Sequence, residues 1–144
     1  LALTAEEGLE LSRWDGVTLM GVLEGYLRYS LKRSRHLPGL MQAQRLLAIQ
    51  DPNIASRLNA ANERIRELIF RLLRPRLNEI GHPNPKLAIN TVMSTLRATL
   101  GQRAQSFATD APTPEPRQSD ESFVREMMKM TAAYLQIETT PSNQ

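Results

Sequence analysis

A chain of 144 residues, 41% hydrophobic and 23% charged, is long enough to bury about two-thirds of its unfolded surface around one core. The absence of Cys excludes disulfides, thiolate metal sites, iron–sulfur clusters and thiol nucleophiles, and two isolated imidazoles, His36 and His82, are too few for a histidine-based metal centre. The net charge of +3 is segregated: Glu6, Glu7, Glu10, Asp15 and Glu24 oppose only Arg13 up to residue 27, whereas Arg28, Lys32, Arg33, Arg35 and Arg45 follow without an acid up to residue 50. Of the 18 basic residues, only Lys32, Lys86 and Lys129 are not Arg. No apolar run has the length of a membrane span, and no basic-apolar-small order marks a signal peptide. A cytoplasmic protein without membrane contact is therefore expected.

Every long segment repeats its apolar residues at helical spacing, and none alternates long enough for a strand. Thr4-Ala5-Glu6-Glu7 has the form of a capping box, predicting a short helix over 5–13. Asp15 is expected to cap the next helix, over 17–35, in which Met20, Leu23, Leu27 and Leu31 recur at steps of three and four. After Pro38-Gly39, residues 40–49 are apolar on almost every side, and the helix they form is expected to be buried. Asp51-Pro52 is an N-cap followed by proline at the first helical position. It opens the longest helix, over 53–80, with Ile54, Leu58, Ile65, Leu68 and Leu72 on one stripe and a kink or stop expected near Arg74 because of Pro75.

Gly81 to Pro85 ends that helix and launches another, over 84–106, whose non-core side is kept small by Thr91, Ser94, Thr95, Ala98 and Gly101. Three prolines among polar residues make 108–122 a loop. The last helix, over 120–137, carries two adjacent stripes. Phe123, Met127, Met130, Tyr134 and Ile137 form one, and Val124, Met128, Thr131 and Leu135 the other. So wide an apolar arc exceeds what one core face can take, and the remainder is expected to meet a partner subunit. The whole reads as a single all-α domain, an antiparallel bundle of about five to six helices.

The usual nucleophile-elbow, phosphate-loop, dinucleotide, zinc-protease and calcium-loop motifs are missing, and the chain is not expected to be an enzyme or to need a cofactor or metal. Glu79-Ile80-Gly81-His82 spans a helix end and reads as capping or solvation. The basic segment 28–35, a Pro-Gly turn and a helix bearing Gln42, Gln44 and Arg45 have the order of a helix-turn-helix, but a base-reading helix needs a free polar face that 40–49 lacks. Met20, Tyr26, Tyr29, Met41, Phe70 and Met93 are bulky or adaptable side chains of the kind that either fill a core or line an apolar cavity, and Arg97, on the polar side of its helix, is a candidate anion partner or points to solvent or across a dimer.

The order Tyr26-x-x-Tyr29, His36-x-Pro38, a short apolar helix, Asp51-Pro52-x-Ile54-Ala55, Pro83-x-Pro85-x-Leu87-Ala88-Ile89 and a final Phe123-Val124 … Tyr134-Leu135 helix resembles the C-terminal regulatory domain of TetR-type transcriptional repressors over residues 15–137. The resemblance implies dimerisation through the last two long helices. The corresponding interface residues here are Thr91, Ser94, Thr95 and Ala98 with Val124, Met127, Met128, Thr131 and Leu135. It also implies an effector pocket between the helices at 17–35, 40–49, 53–80 and 84–106, filled by a small apolar or aromatic molecule, neutral or anionic. DNA would be bound only through a helix-turn-helix domain expected upstream of Leu1. The alternative is a structural or adaptor bundle whose C-terminal helix recruits another protein.

Overall fold

The computed structural model describes residues 11–36, 38–108 and 118–138. Five α-helices follow in order: α1 (Leu19–His36), α2 (Pro38–Gln50), α3 (Pro52–Leu73), α4 (Pro85–Ala108) and α5 (Asp120–Leu135). Two 3-10 segments accompany them, Leu11–Trp14 before α1 and Arg74–Glu79 after α3, and the described residues contain no strand. The fold class is all-α, as the apolar periodicity requires. Most of the helix expected over 5–13 lies outside the described residues, as do residues 109–117 of the expected loop.

The start of α1 departs from expectation. Asp15 does not cap it, because Trp14 to Val17 close a turn in which Gly16 takes φ +74° and the Val17 amide donates to the Trp14 carbonyl at 3.1 Å. Positive φ is the conformation that glycine adopts at little cost. The helix then begins at Leu19, with the Thr18 hydroxyl accepting from the Gly21 amide at 3.1 Å and the Glu79 carboxylate accepting from the Leu19 amide at 2.8 Å. Glu79 arrives from the 3-10 segment that Pro75 forces at the end of α3, so the stop expected near Arg74 is what lets a distant carboxylate cap α1. Arg76 of the same segment donates to the carbonyls of Trp14, Val17 and Leu72, closing the corner from the other side.

The core is built around α1, whose Leu19, Val22, Leu23 and Leu27 are almost fully buried. Against it lie Ile69, Leu72 and Leu73 from the end of α3, Ala88, Ile89, Val92, Met93, Leu96 and Leu100 from α4, and Phe123, Val124, Met127 and Leu135 from α5. Asp51 caps α3 as expected, accepting from the Asn53 amide at 2.8 Å. Helix α3 packs mainly on α2, however, and its Ile54, Leu58 and Ile65 are only half-buried. The expectation that 40–49 is buried is overturned as well: Leu46, Leu47 and Ile49 are 56%, 47% and 82% exposed. The reason is geometric. Its neighbours α1, α3 and α4 leave Leu46, Leu47 and Ile49 uncovered.

Helices α4 and α5 run antiparallel, as both ends of the pair show. The Arg103 guanidinium, near the end of α4, meets Asp120 at the start of α5 at 2.8 Å. At the other end, the amides of Gly81 and His82 donate to the last carbonyl of α5, that of Leu135, at 3.1 and 3.2 Å. The α5 terminus itself closes on Gln136 in the left-handed conformation, a common helix stop.

Candidate ligand seam and dimer face

On α4 the four residues expected at an interface, Thr91, Ser94, Thr95 and Ala98, are all exposed. Leu87 extends the same row, 56% exposed one turn earlier. The hydroxyls of Thr91, Thr95 and Thr99 donate to the carbonyls four residues back, of Leu87, Thr91 and Thr95, at 3.0, 2.9 and 2.8 Å. Their polar groups are thereby satisfied within the helix, which leaves methyl groups outward. A row of small side chains with internally bonded hydroxyls suits close approach of another helix.

On α5 the assignment must be corrected. Val124, Met127, Thr131 and Leu135 are 2%, 8%, 5% and 0% exposed, buried within the chain's own bundle and not available to a second copy. Met128 is half-buried, packed against the core. The exposed apolar side chains are instead Met130 at 62% and Tyr134 at 41%. The Tyr134 ring lies 5.3 Å from that of His82, immediately before α4, so this edge of α5 adjoins the Leu87–Thr91 end of α4. Both stripes of α5 reach the core, Phe123 and Met127 from one and Val124, Thr131 and Leu135 from the other, and only Met130 and Tyr134 of the first turn outward. Where the boundary falls depends on the roll of the helix against α1 and α4, which periodicity does not encode.

The expected ligand residues divide similarly. Burial pushes the Tyr26 phenol on α1 above its ordinary pKa, and the charge of Arg97 on α4 and the Ser30 side chain pull it part of the way back. Met93, one turn before Arg97, is 3% exposed in the core, and Phe70 packs half-buried against it. Met20 sits about 120° around α1 from Tyr26, given six residues at 3.6 per turn, and so lies off this line. Tyr29 is 39% exposed. The Met41 side chain lies outside the described residues.

Two residues not singled out for the site join it. A Cβ placed on Gly101, one turn after Arg97, would lie 3.7 Å from the Arg45 guanidinium, which brings α2 over the same stripe of α4. The charge pattern explains why this matters. Helices α1, α2 and α4 hold the cations Arg28, Lys32, Arg33, Arg35, Arg45, Lys86, Arg97 and Arg103, but their only carboxylate is Glu24. Those facing α5 are neutralised: Arg28 pairs with Glu24 and Glu121 at 2.8 and 2.6 Å, and Arg35 and Arg103 with Asp120, both at 2.8 Å. On the opposite side, neither Arg45 nor Arg97 pairs with a carboxylate among the described residues. The acid-free stretches 38–50 and 85–108 were the signal in the sequence that could have pointed there.

Glu79 and His82 are both otherwise engaged, Glu79 on the Leu19 amide and His82 by its Nδ1 with the Asn84 backbone, accepting from its amide at 3.1 Å. Comparison with known families, curated proteins and solved structures finds no match for this chain.

Proposed function

We propose that the chain is the effector-binding and dimerisation domain of a TetR-type transcriptional regulator. The observation that carries this reading is the exposed strip on each of two antiparallel neighbours, Leu87, Thr91, Thr95 and Ala98 on α4 and Met130 and Tyr134 on α5. Two such strips pressed together make a four-helix interface of the isologous kind that two-fold dimers use. In this reading the sensing site lies between α1, α2 and α4, near Tyr26 and Arg97, and α4 is common to both. A ligand in the seam that favours one setting of α4 shifts the population of dimer geometries, and with it the spacing of DNA-binding units across successive major grooves.

Light scattering on the purified chain tests the interface. A dimer at micromolar concentration that is lost in Leu87→Asp and Met130→Asp supports the reading, whereas a monomeric wild type overturns its dimer component. A thermal-shift screen with planar hydrophobic compounds, repeated on Phe70→Ala, tests the pocket: a bound compound raises the melting temperature of the wild type by mass action, and equal stabilisation of both proteins removes Phe70 from the site.

A further inference from the structure

We infer that residues 11–18 form a strap that opens from α1 as a unit, below global unfolding, with Arg76 as the pin that couples it to the end of α3. The inference stands apart from the proposed sensing and dimer sites, and its failure leaves them untouched.

The strap has a bare seat on α1. Trp14 and Val17 pack half-buried against the core, and each faces a glycine of that helix. A Cβ on Gly21 would lie 2.6 Å from Val17 Cγ1, and one on Gly25 would lie 2.4 Å from the Trp14 ring. Two glycines one turn apart thus leave a smooth stripe that the strap fills. Gly16, at φ +74° with open space around it, is the bend between the two seated side chains.

The fit is incomplete. The Trp14 indole N–H is buried without a hydrogen-bond partner among the described residues, so closing the strap exchanges its bond to water for none. Of residues 13–18, Arg13, Asp15, Gly16 and Thr18 are exposed, which leaves Trp14 and Val17 to hold by apolar contact. An element with so few buried contacts opens at a lower free energy than the core.

Polar attachment compensates, and Arg76 supplies it at two points. Its guanidinium donates from Nε to the Val17 carbonyl at 2.6 Å and from Nη2 to the Trp14 carbonyl, which also receives the Val17 amide at 3.1 Å. The remaining nitrogen, Nη1, donates to the carbonyl of Leu72 in the last turn of α3. The directions of the donors in a guanidinium fork are fixed relative to one another, so moving the Leu72 carbonyl takes the fork off the strap. Coupling of this kind is reciprocal: what loosens the strap loosens the end of α3 by the same free energy.

Native-state hydrogen exchange on the full chain at increasing urea, read beside Trp14 fluorescence, tests the inference. In the wild type the Val17 and Leu19 amides should exchange through an opening that urea affects little, while a core amide such as that of Leu96 waits for global unfolding. Arg76→Gln should speed exchange at Val17 about tenfold or more and shift Trp14 emission to the red, with the circular dichroism of the folded bundle retained. Arg76→Lys should fall between the two, since a single ammonium does not reproduce the fork. Gly25→Ala adds a Cβ whose nearest neighbours all belong to the Trp14 ring. It should nonetheless speed exchange at the Arg74 and Ile80 amides, which bond to the Phe70 and Leu77 carbonyls. Exchange of Val17 and Leu19 in the wild type with the same urea dependence as Leu96 overturns the strap as a unit, whatever the variants do. Wild-type exchange and emission in Arg76→Gln overturn the pin. Exposure of Trp14 in Gly25→Ala with Arg74 and Ile80 unchanged overturns the coupling.

Discussion

The single tryptophan is held against a helix by the absence of a side chain. A Cβ on Gly25 would lie 2.4 Å from the Trp14 ring, well inside any contact real Cβ atoms make. Replacing glycine by alanine inside a helix ordinarily stabilises by up to about 1 kcal/mol, while forcing an overpacked contact costs about 1–3 kcal/mol. The steric cost wins here because the obstacle is a rigid ring. Gly25→Ala should lower the urea midpoint and shift Trp14 fluorescence, since the ring must leave α1. A normal spectrum with raised stability would show that the ring moves freely.

Tyr26 offers a second local test. Arg97 lowers a phenol pKa that burial has raised, so Arg97→Gln should move the Tyr26 titration to higher pH, followed by ultraviolet absorbance or ring NMR signals. The Arg28–Glu121 pair has the opposite sign. Its guanidinium holds the Glu121 carboxyl below the ordinary glutamate range. A carboxyl with a depressed folded pKa stabilises above its unfolded value and loses that contribution as pH falls through the lowered one. Glu121→Gln should therefore flatten the acid limb of the stability profile slightly, and added salt should erase the difference, because both partners are exposed.

Among the elements, the α5 terminus depends on a loop far away in sequence. Gly81 and His82 satisfy the Leu135 carbonyl, and a Cβ on Gly81 would lie 2.5 Å from the Gln136 backbone oxygen. Backbone cannot yield as a flexible side chain can, so Gly81→Ala should destabilise by about 1–3 kcal/mol and raise amide exchange at the end of α5 first. Asp51→Ala, by contrast, removes one N-cap bond from an exposed helix start. Its cost should be about 1 kcal/mol by chemical denaturation, with faster exchange confined to the first turn of α3. In α2 the exposed Leu46, Leu47 and Ile49 explain why apolar composition over 40–49 was a poor guide to burial. A short helix can be apolar all round and still keep one face uncovered.

In the molecule as a whole, substitutions should separate the proposed interface from the core. Leu87→Asp or Met130→Asp should abolish self-association while leaving each protomer folded, because both side chains are exposed. Val124→Asp should instead unfold the chain, since it places an unpaired charge in the core at a cost of several kcal/mol. Circular dichroism with light scattering distinguishes the two results.

Helix number, the Asp51 cap, the Pro75 stop and the start of α5 were all readable from local spacing and capping chemistry, because those signals act within a few residues of where they are written. So was the small-residue row on α4, which has one apolar face and one small one. The outward placing of Met130 and Tyr134 on α5 was not readable, because both stripes are apolar and what each residue faces is decided by the packing of α5 on α1 and α4. Neither was the capping of α1 by Glu79, sixty residues away, nor the approach of Arg45 to α4 at Gly101. Those contacts depend on how helices roll and lean when packed, and it is the sum of many weak interhelical contacts, not any local pattern, that sets the roll.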